Sequence, residues 1–250
     1  MVEINDPVWK ELSSAGNDAD KWLRCLMEGE GDFRENVEIL AEDLSHQLSY
    51  YSATAYVLPH LAVLCSGLTL QDKVFLIARM GAAIAAEAGY PLSSGTGPYR
   101  EFQEGLEGLR RETEHLLTWP GLADFLQNDP ELGQVFALAA LSILGNRKHA
   151  YGLWLLSAYC WEMGHAACAC GWNQEEYVFE EEDCLEPAVI GPWDGKSLEE
   201  EAVWLQGLLA LAGDEEITPI LPLVYGTGIC PDCGRRESYW AWLERFMEEY

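Results

Sequence analysis

Arg34 to Gly67 reads RENVEILAEDLSHQLSYYSATAYVLPHLAVLCSG. Val37, Leu40, Ala41, Leu44 and Leu48 recur at helical spacing and make one apolar stripe. After a polar and aromatic corner, Ser49-Tyr50-Tyr51-Ser52, a second stripe runs through Ala53, Val57, Leu61 and Leu64. Leu58 and Ala62 widen it almost all the way round. So short a corner predicts two antiparallel helices packed on each other. The second helix is too apolar to face water, so further helices must cover its other side. Pro59 falls inside it, where the missing N–H removes one backbone bond and bends the helix. A helix pair, a bent second helix and an alanine-rich contact face predict a mainly α chain of stacked antiparallel helix pairs, an α-solenoid.

Before this stretch, Asp18 is an N-cap for a helix carrying Trp22, Leu23 and Leu26, which ends at Gly29. After it, an amphipathic helix starts at Thr69 and runs through Val74, Ile77, Ala78, Ile84 and Ala88. Its small residues Gly81, Ala82 and Ala85 invite close approach by a neighbour. Pro91 to Pro98 is a loop. The helix beyond turns Phe102, Leu106, Leu109 and Leu116 inward and Glu107 and Arg111 outward, ending at Trp119-Pro120. Asp129-Pro130 opens a helix by the cap-then-proline rule, and Arg147 to Trp161 is predicted to be another. The character changes at Met163. Glycines, close cysteines and Glu175 to Glu180 predict a short strand or hairpin, Ser197 to Gly213 returns to helix, and SYWAWLERFMEEY closes the chain as an amphipathic helix. The expected division is residues 1–161 as helical repeats and 162–250 as a cysteine-bearing β element with closing helices, packed on the same body.

The chain has 250 residues, is 49% hydrophobic and carries a formal net charge of −27. That charge argues against nucleic-acid phosphates and anionic membranes as partners, and fits either a basic partner or a demand for solubility. Residues Trp172 to Glu201 concentrate it, with eleven acids against Lys196. Glu180, Glu181, Glu182 and Asp183 form an unbroken run, by default a solvated edge and, in a protein-binding reading, the contact for a basic partner. The opening MVEINDPVWKELSSAG has neither a basic n-region nor an apolar h-region, and no apolar run approaches bilayer length. The expected location is therefore cytoplasmic, where eight cysteines are thiols or metal ligands rather than disulfides.

Cysteine spacing carries the sharpest chemistry. Cys230-Pro231-Asp232-Cys233-Gly234 has the form of a zinc knuckle: a tight turn aims two thiolates at one ion, and glycine permits a left-handed residue after the second. Cys168-Ala169-Cys170-Gly171 is the candidate second pair, one residue shorter than the usual C-x-x-C-G, with His165 upstream and Cys184 downstream as alternative ligands. Four thiolates would make a closed, structural zinc site. The same CPDC would be a redox dithiol if Cys230 opened a helix. Gly191 to Ser197 (GPWDGKS) is one residue too short for a phosphate-binding loop and reads as a turn with Ser197 as helix N-cap. His46 and Gln47 read as capping residues. There is no G-x-S-x-G elbow and no H-E-x-x-H, so no catalytic set is expected.

Leu44 to Leu64, LSHQLSYYSATAYVLPHLAVL, resembles a family of bacterial HEAT-like proteins in its His-Gln corner, its aromatic, its Ala-Thr step and its Pro-His-Leu. ALAALSILG, Ala137 to Gly145, looks like another helix of that repeat, and CACG and CPDCG match cysteine elements that follow such helices. The resemblance implies an α-solenoid used for protein binding, some relatives being toxin-neutralising immunity proteins. The expected function is thus non-catalytic: an acidic protein that caps a basic partner such as a toxin. The alternative is an intracellular scaffold or regulator with a structural zinc site. The oligomeric state is not expressed in the sequence.

Overall fold

A computed structural model describes residues 1–157, 166–171, 173–174, 190–191, 200–214, 216–230 and 232–249. They are mainly helical. The helices are α1 (Ala19–Glu28), α2 (Phe33–Ser45), α3 (Ser52–Ser66), α4 (Leu70–Ala86), α5 (Gly97–Leu117), α6 (Leu122–Gln127), α7 (Pro130–Leu144) and α8 (Arg147–Leu156). After the first short strands come α9 (Glu200–Ala212), α10 (Leu221–Val224) and α11 (Tyr239–Glu249). Their starts follow from capping chemistry. The side chains of Asp32, Thr69, Thr96, Asp129 and Asn146 each accept a backbone N–H from the first turn of the helix they precede. Gly29 ends α1 in the left-handed conformation at φ 71°. The expected helix from Arg147 to Trp161 is described as far as Leu156, and the expected strand around Glu175 to Glu180 lies outside the described residues.

The expected pairing of α2 with α3 is corrected. The short corner is not a hairpin turn: Gln47 and Leu48 both take φ 53°, and Ser49 and Tyr51 are extended. Two consecutive left-handed residues swing the chain away, while Leu48 stays buried as an anchor. α3 therefore lies chiefly on α5, with lesser contacts to α1 and α4, whereas α2 rests on α1 and α4. Further along, α4 lies on α7 and α7 on α9.

The closest of these crossings rest on glycine. A Cβ on Gly105 of α5 would fall 2.6 Å from the Pro59 nitrogen and from the Leu58 carbonyl carbon of α3, and one on Gly108 would meet Ala62 at 2.5 Å. Pro59 has no amide hydrogen, so the backbone that α5 approaches has no donor to leave unpaired. Gly81 of α4 stands in the same relation to Ala139 of α7, and Gly133 of α7 to Ala212 of α9. Val57, Leu58, Leu61, Leu76, Phe102 and Phe136 fill the space these approaches enclose and are fully buried.

Small β elements interrupt the helices in the last part of the described chain. β1 (Ala166–Ala167) pairs antiparallel with β2 (Asn173–Gln174). β3 (Ile190–Gly191), β4 (Thr227–Ile229) and β5 (Arg236–Ser238) form a second antiparallel sheet in the order β3-β4-β5. α11 carries both sheets against the helical body, touching β1, β5 and α8. Its Trp242 is fully buried and covers Gly228 of β4, where the indole leaves no room for a Cβ.

Candidate metal centre

Each cysteine pair sits at the tip of a two-stranded hairpin. In the first, Ala167 pairs with Asn173, and the Gly171 N–H donates to the Cys168 carbonyl at 2.9 Å, closing the turn that carries Cys168 and Cys170. In the second, Ile229 pairs with Arg236, the Cys230 N–H donates to the Arg235 carbonyl and the Gly234 N–H to the Cys230 carbonyl, both at 2.9 Å. Gly171 at φ 96° and Gly234 at φ 69° take left-handed conformations immediately after the second cysteine of each pair. Cys230 precedes β5 rather than a helix, so the helix N-terminus that a redox dithiol would use is absent from this turn.

The two tips meet although 60 residues separate Cys170 from Cys230. Cys168 Sγ lies 3.6 Å from Cys233 Sγ, and Cys170 Sγ 3.6 Å from Cys230 Sγ. All four sulfurs fall within 4.8 Å of one another. A tetrahedral ion with metal–sulfur bonds of about 2.3 Å requires sulfur–sulfur edges of about 3.8 Å. A disulfide requires about 2.05 Å, so these are thiols spaced for an ion rather than bonded pairs. The four cysteines could hold a metal ion. All-sulfur donation selects a soft or borderline cation, and four protein ligands leave no coordination position open to a substrate.

The electrostatics split the two buried sulfurs. Burial raises the Cys230 pKa, but backbone N–H groups of Cys233 and Asp232 aimed at its sulfur, together with the thiols of Cys168 and Cys170, bring it down to about 7. For Cys168 a backbone hydrogen bond from Cys170 lowers the pKa, while burial and the three neighbouring thiols outweigh it and push it up to about 12. Four sulfurs this close share their protons as one group, and a cation would displace them together. Cys168 and Cys230 are buried, whereas Cys170 and Cys233 are exposed.

Arg245 of α11 fixes the second hairpin to the helical body. Its guanidinium donates to both carboxylate oxygens of Glu237 on β5, at 2.5 and 2.6 Å. Its pKa is raised, first by that hydrogen bond to Glu237 and further by the charge of Cys168. Sequence reasoning missed this pair, because a strand residue and a helix residue eight positions apart share no periodicity.

A second polar cluster, also unforeseen, ties α9 to α8. Glu201 accepts hydrogen bonds from His149 Nδ1 at 2.7 Å, the Asn146 N–H at 2.7 Å and the Tyr225 hydroxyl at 2.9 Å. Burial works to raise the Glu201 pKa, but these three donors overcome it and hold the carboxyl below its ordinary value. Beside the cluster opens a cleft of about 800 Å³ lined by Glu87, Asn146, Arg147, Lys148, Trp240 and Glu244. Its cations are paired, Arg147 with Glu87 at 3.1 Å and Lys148 with Glu244 at 3.6 Å.

The remaining candidates separate cleanly. Glu180, Glu181, Glu182 and Asp183, the alternative ligands His165 and Cys184, and residues 192–197 of the GPWDGKS stretch lie outside the described residues. His46 is bonded to Glu42 through Nδ1 at 2.5 Å, and its carbonyl accepts the Ser49 N–H. Cys65 is core, and its thiol pKa is pushed up to about 12 by burial, while Cys25 is half-buried. Among the described residues no helix is long and apolar enough to cross a membrane. The chain matches no family model, no curated protein and no solved structure.

Proposed function

We propose that this chain is a non-catalytic, protein-binding α-solenoid whose C-terminal hairpins are locked by one structural zinc ion on Cys168, Cys170, Cys230 and Cys233. The convergence of four thiols at tetrahedral spacing carries the zinc assignment: zinc tolerates the all-thiolate set, and a closed site holds structure rather than activating a substrate. The succession of contacts, α1 to α3 to α5 and α2 to α4 to α7 to α9, supports the solenoid reading, with α1/α2 and α3/α4 as the hairpins. Binding function follows from charge. A net of −27 repels nucleic acid and anionic lipid and draws a basic protein surface, as an immunity-type protein would cap a basic toxin in the cytoplasm. The acids Glu180 to Asp183 are the proposed contact.

The test is capture from lysate of the source cell on the immobilised chain, repeated across a salt series. A basic protein whose retention falls steeply between low and physiological salt supports this reading. A neutral protein retained equally at all salt concentrations favours an intracellular scaffold whose charge serves solubility alone.

A further inference from the structure

The four sulfurs differ in a paired way. Each of the two 3.6 Å contacts joins one exposed sulfur to one buried sulfur, and each runs from one hairpin to the other: Cys233 to Cys168, and Cys170 to Cys230. We infer that Cys170 and Cys233 are the sites at which a hydroperoxide oxidises this chain, and that Cys230 and Cys168 are their resolving partners. Oxidation then releases the metal and leaves two disulfides between the hairpins, Cys168–Cys233 and Cys170–Cys230. The metal-release part rests on the zinc reading given above. The pairing rests on the sulfur positions alone.

Access decides where the reaction starts. Cys168 is 4% exposed and Cys230 1%, so peroxide in solution meets the sulfurs of Cys170 and Cys233 first. The exposed thiolate attacks one peroxide oxygen, the O–O bond breaks, and a sulfenic acid forms as hydroxide leaves and takes up a proton. The buried partner then attacks that sulfur, the S–O bond breaks, and a second water leaves. Each disulfide therefore passes two electrons from two sulfurs to one hydrogen peroxide, which becomes two waters, and two peroxides convert all four thiols. The distance to be closed is small: a bond of about 2.05 Å must replace a separation of 3.6 Å. Because both products cross between hairpins, the contact that the ion held is kept covalently after the ion has gone.

The experiment treats the zinc-loaded full chain with hydrogen peroxide in the presence of a chromophoric zinc chelator. Non-reducing digestion and mass spectrometry then map the linkages, and a cyclic 1,3-diketone traps sulfenic acid at early times. The expected result is zinc release with 168–233 and 170–230 linkages, and early diketone adducts on Cys170 and Cys233. Linkages within a hairpin (168–170 or 230–233), any other pairing, first adducts on Cys168 or Cys230, or oxidation that stops without a disulfide would overturn the inference. A chain that takes up no zinc yet forms the two predicted linkages would refute the zinc reading and leave this one standing. A zinc-bound chain that forms other linkages would do the reverse.

Discussion

Gly105 shows how much one missing side chain decides. A methyl group there would sit against the backbone of Leu58 and Pro59, atoms that cannot rotate aside, so α5 would have to retreat from α3. Gly105→Ala gains about 1 kcal/mol of helix propensity, yet overpacking costs about 1–3 kcal/mol and prevails. Chemical denaturation should show a lower midpoint with an unchanged slope, and a stabilised variant would contradict the close approach. Glu201 makes a different kind of prediction. Its carboxyl is held below the ordinary value near 4.5, against the opposing pull of burial, by bonds from His149, the Asn146 N–H and Tyr225. A depressed carboxyl stabilises the fold fully above its unfolded pKa and loses that contribution as pH falls through the lower folded value. Glu201→Gln should therefore destabilise most near neutrality, and the gap to the parent chain should shrink once the pH drops below about 4.5. A gap that stayed constant down to pH 2 would show that the carboxylate charge has no part in it.

Among the elements, the proposed ion would join the two hairpins, while the early helices rest on apolar packing. α1 to α7 hold one another through buried apolar faces and glycine crossings. β1, β2, β4 and β5 are two or three residues long, too short to stand alone. Replacing Cys230 and Cys233 by serine should thus raise hydrogen exchange in residues 166–174 and 227–238 while amides of α3, α4, α5 and α7 stay protected. Equal loosening of both regions would mean the hairpins are integral to the helical core. Much of this organisation is legible in the sequence, since caps such as Thr69 and Asp129-Pro130, the stripes of α4 and α5 and the two cysteine-glycine turns act locally. The partner of α3 was not. Gln47 and Leu48 adopt left-handed backbone without being glycine, so no residue type announces the swing that sends α3 to α5. The Glu237–Arg245 and Glu201–His149 contacts were equally hidden, because they arise only once distant elements have docked.

For the molecule as a whole, charge and the proposed metal would play separate parts. A net of −27 governs what approaches the surface, while four cysteines, two of them buried, bring the two hairpins together and could hold the proposed ion between them. Arg245 grips Glu237 of β5 and so ties the hairpin that carries Cys230 and Cys233 to α11. An ion that binds the folded chain and not the unfolded one must raise its stability by mass action. The most direct measurement is the unfolding temperature of metal-free, fully reduced chain titrated with zinc. The account predicts a rise that saturates at one zinc per chain. A melting temperature that does not change with zinc, or that saturates at another ratio, would contradict it.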